Sequence, residues 1–190
     1  NNFYIKNKDG DNALHLAIKS QNFKLFKIII ENFNDLKSRN SFGESYLHLI
    51  IKYKCYDMLE LMINKYHSNI NFIELLNYVE YRYNFTILHY LCIEIDYESL
   101  LIISKSNLLN LIDGNKQDSS GNIFYHYFIN NIINIAKLTT DNINIIINMN
   151  ELFKNINFNI NLYNIDGNTS AHIFFSNINY FLNNKLNILI

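Results

Sequence analysis

Residues 9–18, Asp9-Gly10-Asp11-Asn12-Ala13-Leu14-His15-Leu16-Ala17-Ile18, decide the fold. They read as a turn, a cap and a helix. Gly10 tolerates the positive φ of a tight turn, Asn12 is able to cap a helix N-terminus, and Leu14 to Ile18 is an apolar run of helical length. The same frame returns along the chain. Five of the six histidines, His15, His48, His89, His126 and His172, share it at intervals of 33, 41, 37 and 46 residues, and only His67 stands outside. Five residues before each histidine come Gly10, Gly43, Asn84, Gly121 and Gly167. Three residues before come Asn12, Ser45, Thr86, Ile123 and Thr169, of which all but Ile123 can cap a helix. A unit that recurs with this period signals a repeat architecture.

Each frame opens a short apolar stretch: Leu14 to Ile18, Leu47 to Ile51, Leu88 to Ile93, Tyr125 to Ile129 and Ala171 to Phe175. After a brief break a second stretch follows, at Phe23 to Phe33, Tyr56 to Tyr66, Tyr97 to Ser104, Ile143 to Phe153 and Ile178 to Leu189. In the first of these Phe23, Phe26, Ile30 and Phe33 recur at helical spacing. The repeated unit is therefore a helix pair, and the expected fold class is all-α.

The pattern resembles the ankyrin repeat, whose 33-residue unit carries a turn glycine and a Thr-Pro-Leu-His helix start. Asp9, Gly10, Asn12, Ala13, Leu14, His15, Leu16 and Ala17 match it best, followed by Phe42, Gly43, Ser45, Leu47, His48 and Leu49, then Asn84, Thr86, Leu88 and His89. Gly121 with His126, and Asp166, Gly167, Thr169 and His172, carry the weaker last two copies. The resemblance implies one solenoid domain over 1–190, with repeats at about 7–39, 40–67, 81–113, 118–161 and 164–190, joined by β-turn or hairpin loops. Two departures stand out. The proline after the cap is replaced by Ala13, Tyr46, Ile87, Phe124 and Ser170, and the glycine that separates the paired helices is absent. The long intervals predict insertions near 68–82, with an extra helical turn over Phe72 to Val79, and near 137–161.

Composition narrows the function. Formal charge is −1, with 16 basic and 17 acidic residues, so no excess of one sign drives binding to nucleic acid or acidic lipid. No segment reaches the roughly 18 apolar residues of a membrane span. Cys55 and Cys92 fit neither a disulfide framework nor a zinc cluster, and point to a reducing, intracellular compartment, cytoplasmic or nuclear. Asparagine and isoleucine make up about a third of the chain and lysine outnumbers arginine 14 to 2, the signature of an A/T-rich genome. The chain lacks a start methionine and a signal-like segment, and is expected to be part of a longer protein.

No catalytic, cofactor or metal site is expected. Metal-binding histidines must converge on one ion, whereas equivalent residues of stacked helices lie about 8–10 Å apart. In the ankyrin family the motif histidine hydrogen-bonds the neighbouring turn backbone, so His15, His48, His89, His126 and His172, with Gly10, Gly43, Gly121 and Gly167, are expected to be structural. Cys92, three residues after His89, reads as a small buried hydrophobe.

The resemblance implies a monomeric binding scaffold whose protein partner touches the turn tips and the inner face of each first helix. In the second and third repeats those positions include Phe42, Glu44, Lys52, Tyr53, Arg82, Tyr83 and Phe85, mostly types enriched at interface hot spots. The later tips offer Ser119, Ser120, Asn122, Asp166 and Asn168. An inhibitor resembling the IκB family, or the substrate-recruiting arm of a larger enzyme such as a palmitoyltransferase, are the alternatives.

Overall fold

A computed structural model describes residues 2–134 and 140–177. Among them it holds no strand, only an isolated bridge between Asp113 and Asn157, and no helix long and apolar enough to cross a membrane. The first helix of each unit is α1 (Ala13–Lys19), α3 (Tyr46–Lys52), α6 (Ile87–Ile93) and α8 (Phe124–Asn134), and a fifth runs over 170–177. The second helices are α2 (Phe23–Glu31), α4 (Tyr56–Tyr66), α7 (Tyr97–Ser104) and α9 (Thr140–Phe153). The second helix expected over Ile178 to Leu189 lies outside the described residues. The extra turn near 68–82 is α5 (Ile70–Leu75), which starts two residues earlier than the apolar pattern suggested because Asn69 caps it through Asn71 N–H.

Helices of seven to eleven residues do not hold in isolation. Stacking supplies what length does not. First helices pack on first helices, α1 on α3 on α6 on α8, and second helices likewise, α2 on α4 on α7 on α9. One continuous core results, from Leu14 through Phe26, Tyr46, Leu59, Phe72, Leu88 and Leu100 to Phe124, Phe153 and Ile156. Each fully buried side chain of this kind contributes about 1.5–3 kcal/mol.

The missing glycine between paired helices has a structural answer. The chain still turns through the left-handed region there, on Gln21 (φ 53°), Lys54 (φ 52°) and Ile95 (φ 48°). This conformation costs a residue bearing a Cβ about 1–2 kcal/mol, most uncomfortably the β-branched Ile95.

Candidate functional site

Three of the motif histidines, His48, His89 and His126, weld one turn to the next. At the start of every first helix the imidazole Nδ1 faces the cap: the backbone N–H of Ser45, Thr86, Ile123 and Thr169 lies 3.1–3.3 Å from Nδ1 of His48, His89, His126 and His172. With Nδ1 an acceptor, Nε2 carries the proton and donates forward. His48 reaches the Phe85 carbonyl at 3.0 Å, His89 that of Asn122 at 3.0 Å and His126 that of Asn168 at 3.1 Å. Both nitrogens of His48, His89 and His126 are thus committed to backbone. Burial opposes their protonation and holds His48 down at about 4, against an ordinary 6.5, and His89 and His126 shift the same way.

Every turn is organised by one side chain. Asn7, Asn40, Asp118 and Asn164 each accept two backbone N–H groups, for instance those of Phe42 and Glu44 at Asn40 Oδ1, 3.0 Å each. The glycines follow at positive φ, Gly10, Gly43, Gly121 and Gly167 between 74° and 76°. A Cβ on Gly10 would meet Ser41 N at 2.6 Å, because the turns are laid against one another. A backbone ladder joins them: Ser41 N–H to Asp9 O, Tyr81 N–H to Phe42 O and Ser119 N–H to Tyr83 O at 2.8 Å, and Ile165 N–H to Ser120 O at 3.0 Å.

The third turn departs from the rest. It spans one residue more, from Glu80 to Phe85, with Asn84 at φ 58° in place of glycine. Its organiser is correspondingly one methylene longer: the Glu80 carboxylate accepts the N–H groups of Arg82 at 2.6 Å, Tyr83 at 2.7 Å and Phe85 at 3.1 Å. The added residue carries Arg82 and Tyr83 out at the tip.

Between the second and third turns lies a cleft of about 290 Å³, lined by Lys19, Phe42, Glu44, Lys52, Tyr53, Glu80, Arg82, Tyr83 and Tyr90. The structure thus brings six of the seven expected contact residues to one place. Phe85 is set just behind them, half-buried against Tyr83 (5.2 Å), Tyr90 (5.7 Å) and Tyr127 (5.6 Å). Glu44 is also not a surface group, since it lies buried on the floor with its carboxylate held by Lys52 at 2.7 Å and Asn40 at 2.8 Å. Burial opposes its ionisation, yet these two hydrogen bonds prevail and keep its pKa below the ordinary value. The next anion inward, Asp11, is buried under Lys19 in the same way and is tied to Asn40 at 3.2 Å. The cleft therefore turns its carboxylates inward and its cations outward. Phe42, Lys52, Arg82 and Tyr83 are exposed, and the Arg82 guanidinium lies over the Tyr83 ring at 5.0 Å.

Three lining residues escaped the sequence-based expectation of contacts there. Lys19 belongs to the first repeat, whereas the expected contacts lie in the second and third. Glu80 sits one position out of frame because of the added turn residue, and Tyr90 occupies the position of Leu16 and Leu49, which reads as core. Among the described residues no three His, Cys, Asp or Glu side chains gather as a metal site would require. Burial raises the Cys92 thiol well above its ordinary pKa and raises that of Cys55 too, the opposite of what a nucleophile needs.

Fold and turn bonding together define a helical repeat solenoid. Residues 1–74 match the family described as ankyrin repeats in three copies, and the remainder of the described chain continues the same stacked fold. The structure resembles a chain in the complex of the Bd0816 predatory endopeptidase from Bdellovibrio bacteriovorus with immunity protein Bd3460, at 18% identity and a TM-score of 0.62, over 94% of this chain and 80% of that one. It also resembles the ankyrin repeat domain of Bcl-3, an IκB-family protein, at 16% identity and a TM-score of 0.63, over 87% of this chain and 64% of that one. These likenesses show the fold alone. No curated protein matches the sequence. Ankyrin repeats are generally protein-interaction modules and typically non-catalytic.

Proposed function

We propose that the chain is a monomeric, non-catalytic scaffold that binds a protein partner in the cleft between its second and third turns. One observation carries this reading: Phe42, Tyr53, Arg82, Tyr83 and Tyr90 converge there on a rigid, hydrogen-bonded frame. Aromatic rings and arginine supply large contact area at low entropic cost, and a frame fixed in advance lowers the ordering cost of binding. The partner is a protein segment that lays apolar or aromatic side chains on Phe42 and Tyr83 and meets Arg82 at the rim.

The test is affinity capture from the source cell with the wild-type chain and with Phe42→Ser/Tyr83→Ser as baits. A partner retained by the first and lost by the second, with both baits folded by circular dichroism, supports the reading; equal capture by both overturns it. An intracellular location, cytoplasmic or nuclear, belongs to the same proposal because both thiols are free. Finding the tagged protein in a secretory compartment would contradict it. The IκB-like alternative gains no support from the Bcl-3 likeness at 16% identity.

A further inference from the structure

The two faces of a stacked repeat do different work, and the face that meets the preceding repeat can be read off the second and third helix pairs. On the first helix the residue after the motif histidine belongs to it: Leu49 is wholly buried, and Tyr90 packs edge-on against the His48 ring at 6.0 Å. On the second helix Cys55, which caps α4, and Lys65 and Tyr66 within it mark the face. Their side chains reach back to carbonyls of the first repeat: Cys55 to Ile18 at 3.9 Å, Lys65 to Ile30 at 2.7 Å and Tyr66 to Phe33 at 3.1 Å. Helical spacing puts Met58 and Leu61 on the same side. Met58 is 2% exposed and Leu61 half-buried, and their counterparts Ser99 and Ile102 in α7 are buried.

In the first repeat the same three positions are Leu16, Leu25 and Ile28. They are 45%, 41% and 51% exposed. The terminal repeat of an array normally turns a polar outer face to water, so a stripe of aliphatic side chains on that face is the wrong chemistry for an end. A second observation points the same way. The segment entering the first turn has the build of the linkers that enter the second and third. Phe3 packs against the core where Leu36 and Leu76 are buried, and Lys6 donates to the Arg39 carbonyl at 2.7 Å just as Arg39 donates to the Val79 carbonyl at 3.3 Å. In the second and third repeats such a segment arrives from a helix, α2 and α5 respectively.

We propose that the face made by Leu16, Leu25 and Ile28 is a stacking surface for a further helix pair of the same kind, carried on the same polypeptide ahead of Asn2. The linker build selects this source over a second copy, because it places an incoming helix of the same chain next to the face. The occupant brings an apolar first-helix residue onto Leu16 and a second helix onto Leu25 and Ile28, repeating the contacts that α1 and α2 make with α3 and α4.

The test compares the 190-residue chain with the polypeptide extended to its natural start, each with and without Leu16→Lys/Leu25→Lys/Ile28→Lys. Hydrogen exchange of the α1 and α2 amides is expected to slow about tenfold or more in the extended polypeptide. The triple substitution should reverse that slowing and lower its Tm, while costing the 190-residue chain little. Equal exchange at both lengths overturns the proposal, as does an extended polypeptide indifferent to the substitutions. A 190-residue chain that dimerises through this face, with the triple variant monomeric, also overturns it by making a second copy the occupant.

Discussion

The junction between the first and second repeats and the junction between the second and third are built on the same backbone ladder and differ in what fastens them. At the second junction His48 bridges to the Phe85 carbonyl. At the first, Nε2 of His15 is buried with no hydrogen-bond partner. The cap side chains differ as well. Ser45 offers His48 a hydroxyl 2.8 Å from Nδ1 that can donate, whereas Asn12 sets its carboxamide oxygen 2.8 Å from Nδ1 of His15. The Asn12 N–H also lies 3.2 Å from that nitrogen, so the His15 ring faces its cap as the other motif rings do. Side chains fasten the first junction instead: Asn12 Nδ2 to the Tyr46 hydroxyl at 2.8 Å, and the Lys19, Asp11, Asn40, Glu44, Lys52 chain of charges and amide. The comparison separates frame from chemistry. The backbone ladder tolerates different fastenings, and the added residue of the third turn, which the ladder also tolerates, is what presents Arg82 and Tyr83.

The largest effect is expected on stability. His48→Ala strands the Phe85 carbonyl and the Ser45 N–H and should cost on the order of 1–3 kcal/mol, read by urea denaturation, with no response to chelators. His15→Ala loses no forward bond and should cost less; equal losses would erase the distinction between the junctions. Next comes binding. Phe42→Ser/Tyr83→Ser should weaken the partner by roughly 2 kcal/mol or more, measured by titration calorimetry. Ser119→Ala/Ser120→Ala on the next turn should do little. Asn122 makes a poor control, since its side chain accepts from Asn164 at 3.0 Å.

A pH effect follows from the buried imidazoles. His48 and His15 are both held down at about 4 by burial, from an ordinary 6.5. The unfolded chain therefore takes up protons before the folded one does, and stability is full above about 6.5 and declines as pH falls toward 4. Thermal melts across that window should show Tm falling with pH, and the slope should flatten in His48→Gln. The smallest effect concerns the inter-helix turns. Gln21→Gly, at an exposed left-handed position, should raise stability by up to about 1 kcal/mol, and no gain on thermal melting would show that the turn carries no strain.

The helix pairs were legible because their signals are local. A turn glycine, a cap and a histidine in fixed register, followed by apolar runs, give the pairs from Ala13 to Ser104. What escaped was anything that depends on a neighbouring repeat. Glu80 gives no local sign that it will gather three backbone N–H groups, since its role arises only after an added residue shifts the turn. Tyr90 reads as core until the shorter Leu49 is seen to be covered and Tyr90 to stand half-exposed at the cleft. Glu44 reads as a surface charge until Asn40 and Lys52 close over it. The left-handed Ile95 could not be foreseen either, because stacking imposes that conformation against the residue's own preference.

The central claim is that the partner seats between the second and third turns. Photocrosslinking reads this most directly, with a benzophenone side chain placed at Tyr83 in one protein and at Ser120 in another, both exposed to source-cell extract. A partner crosslinked from position 83 and not from position 120 is the expected result, and crosslinking from position 120 alone would contradict it.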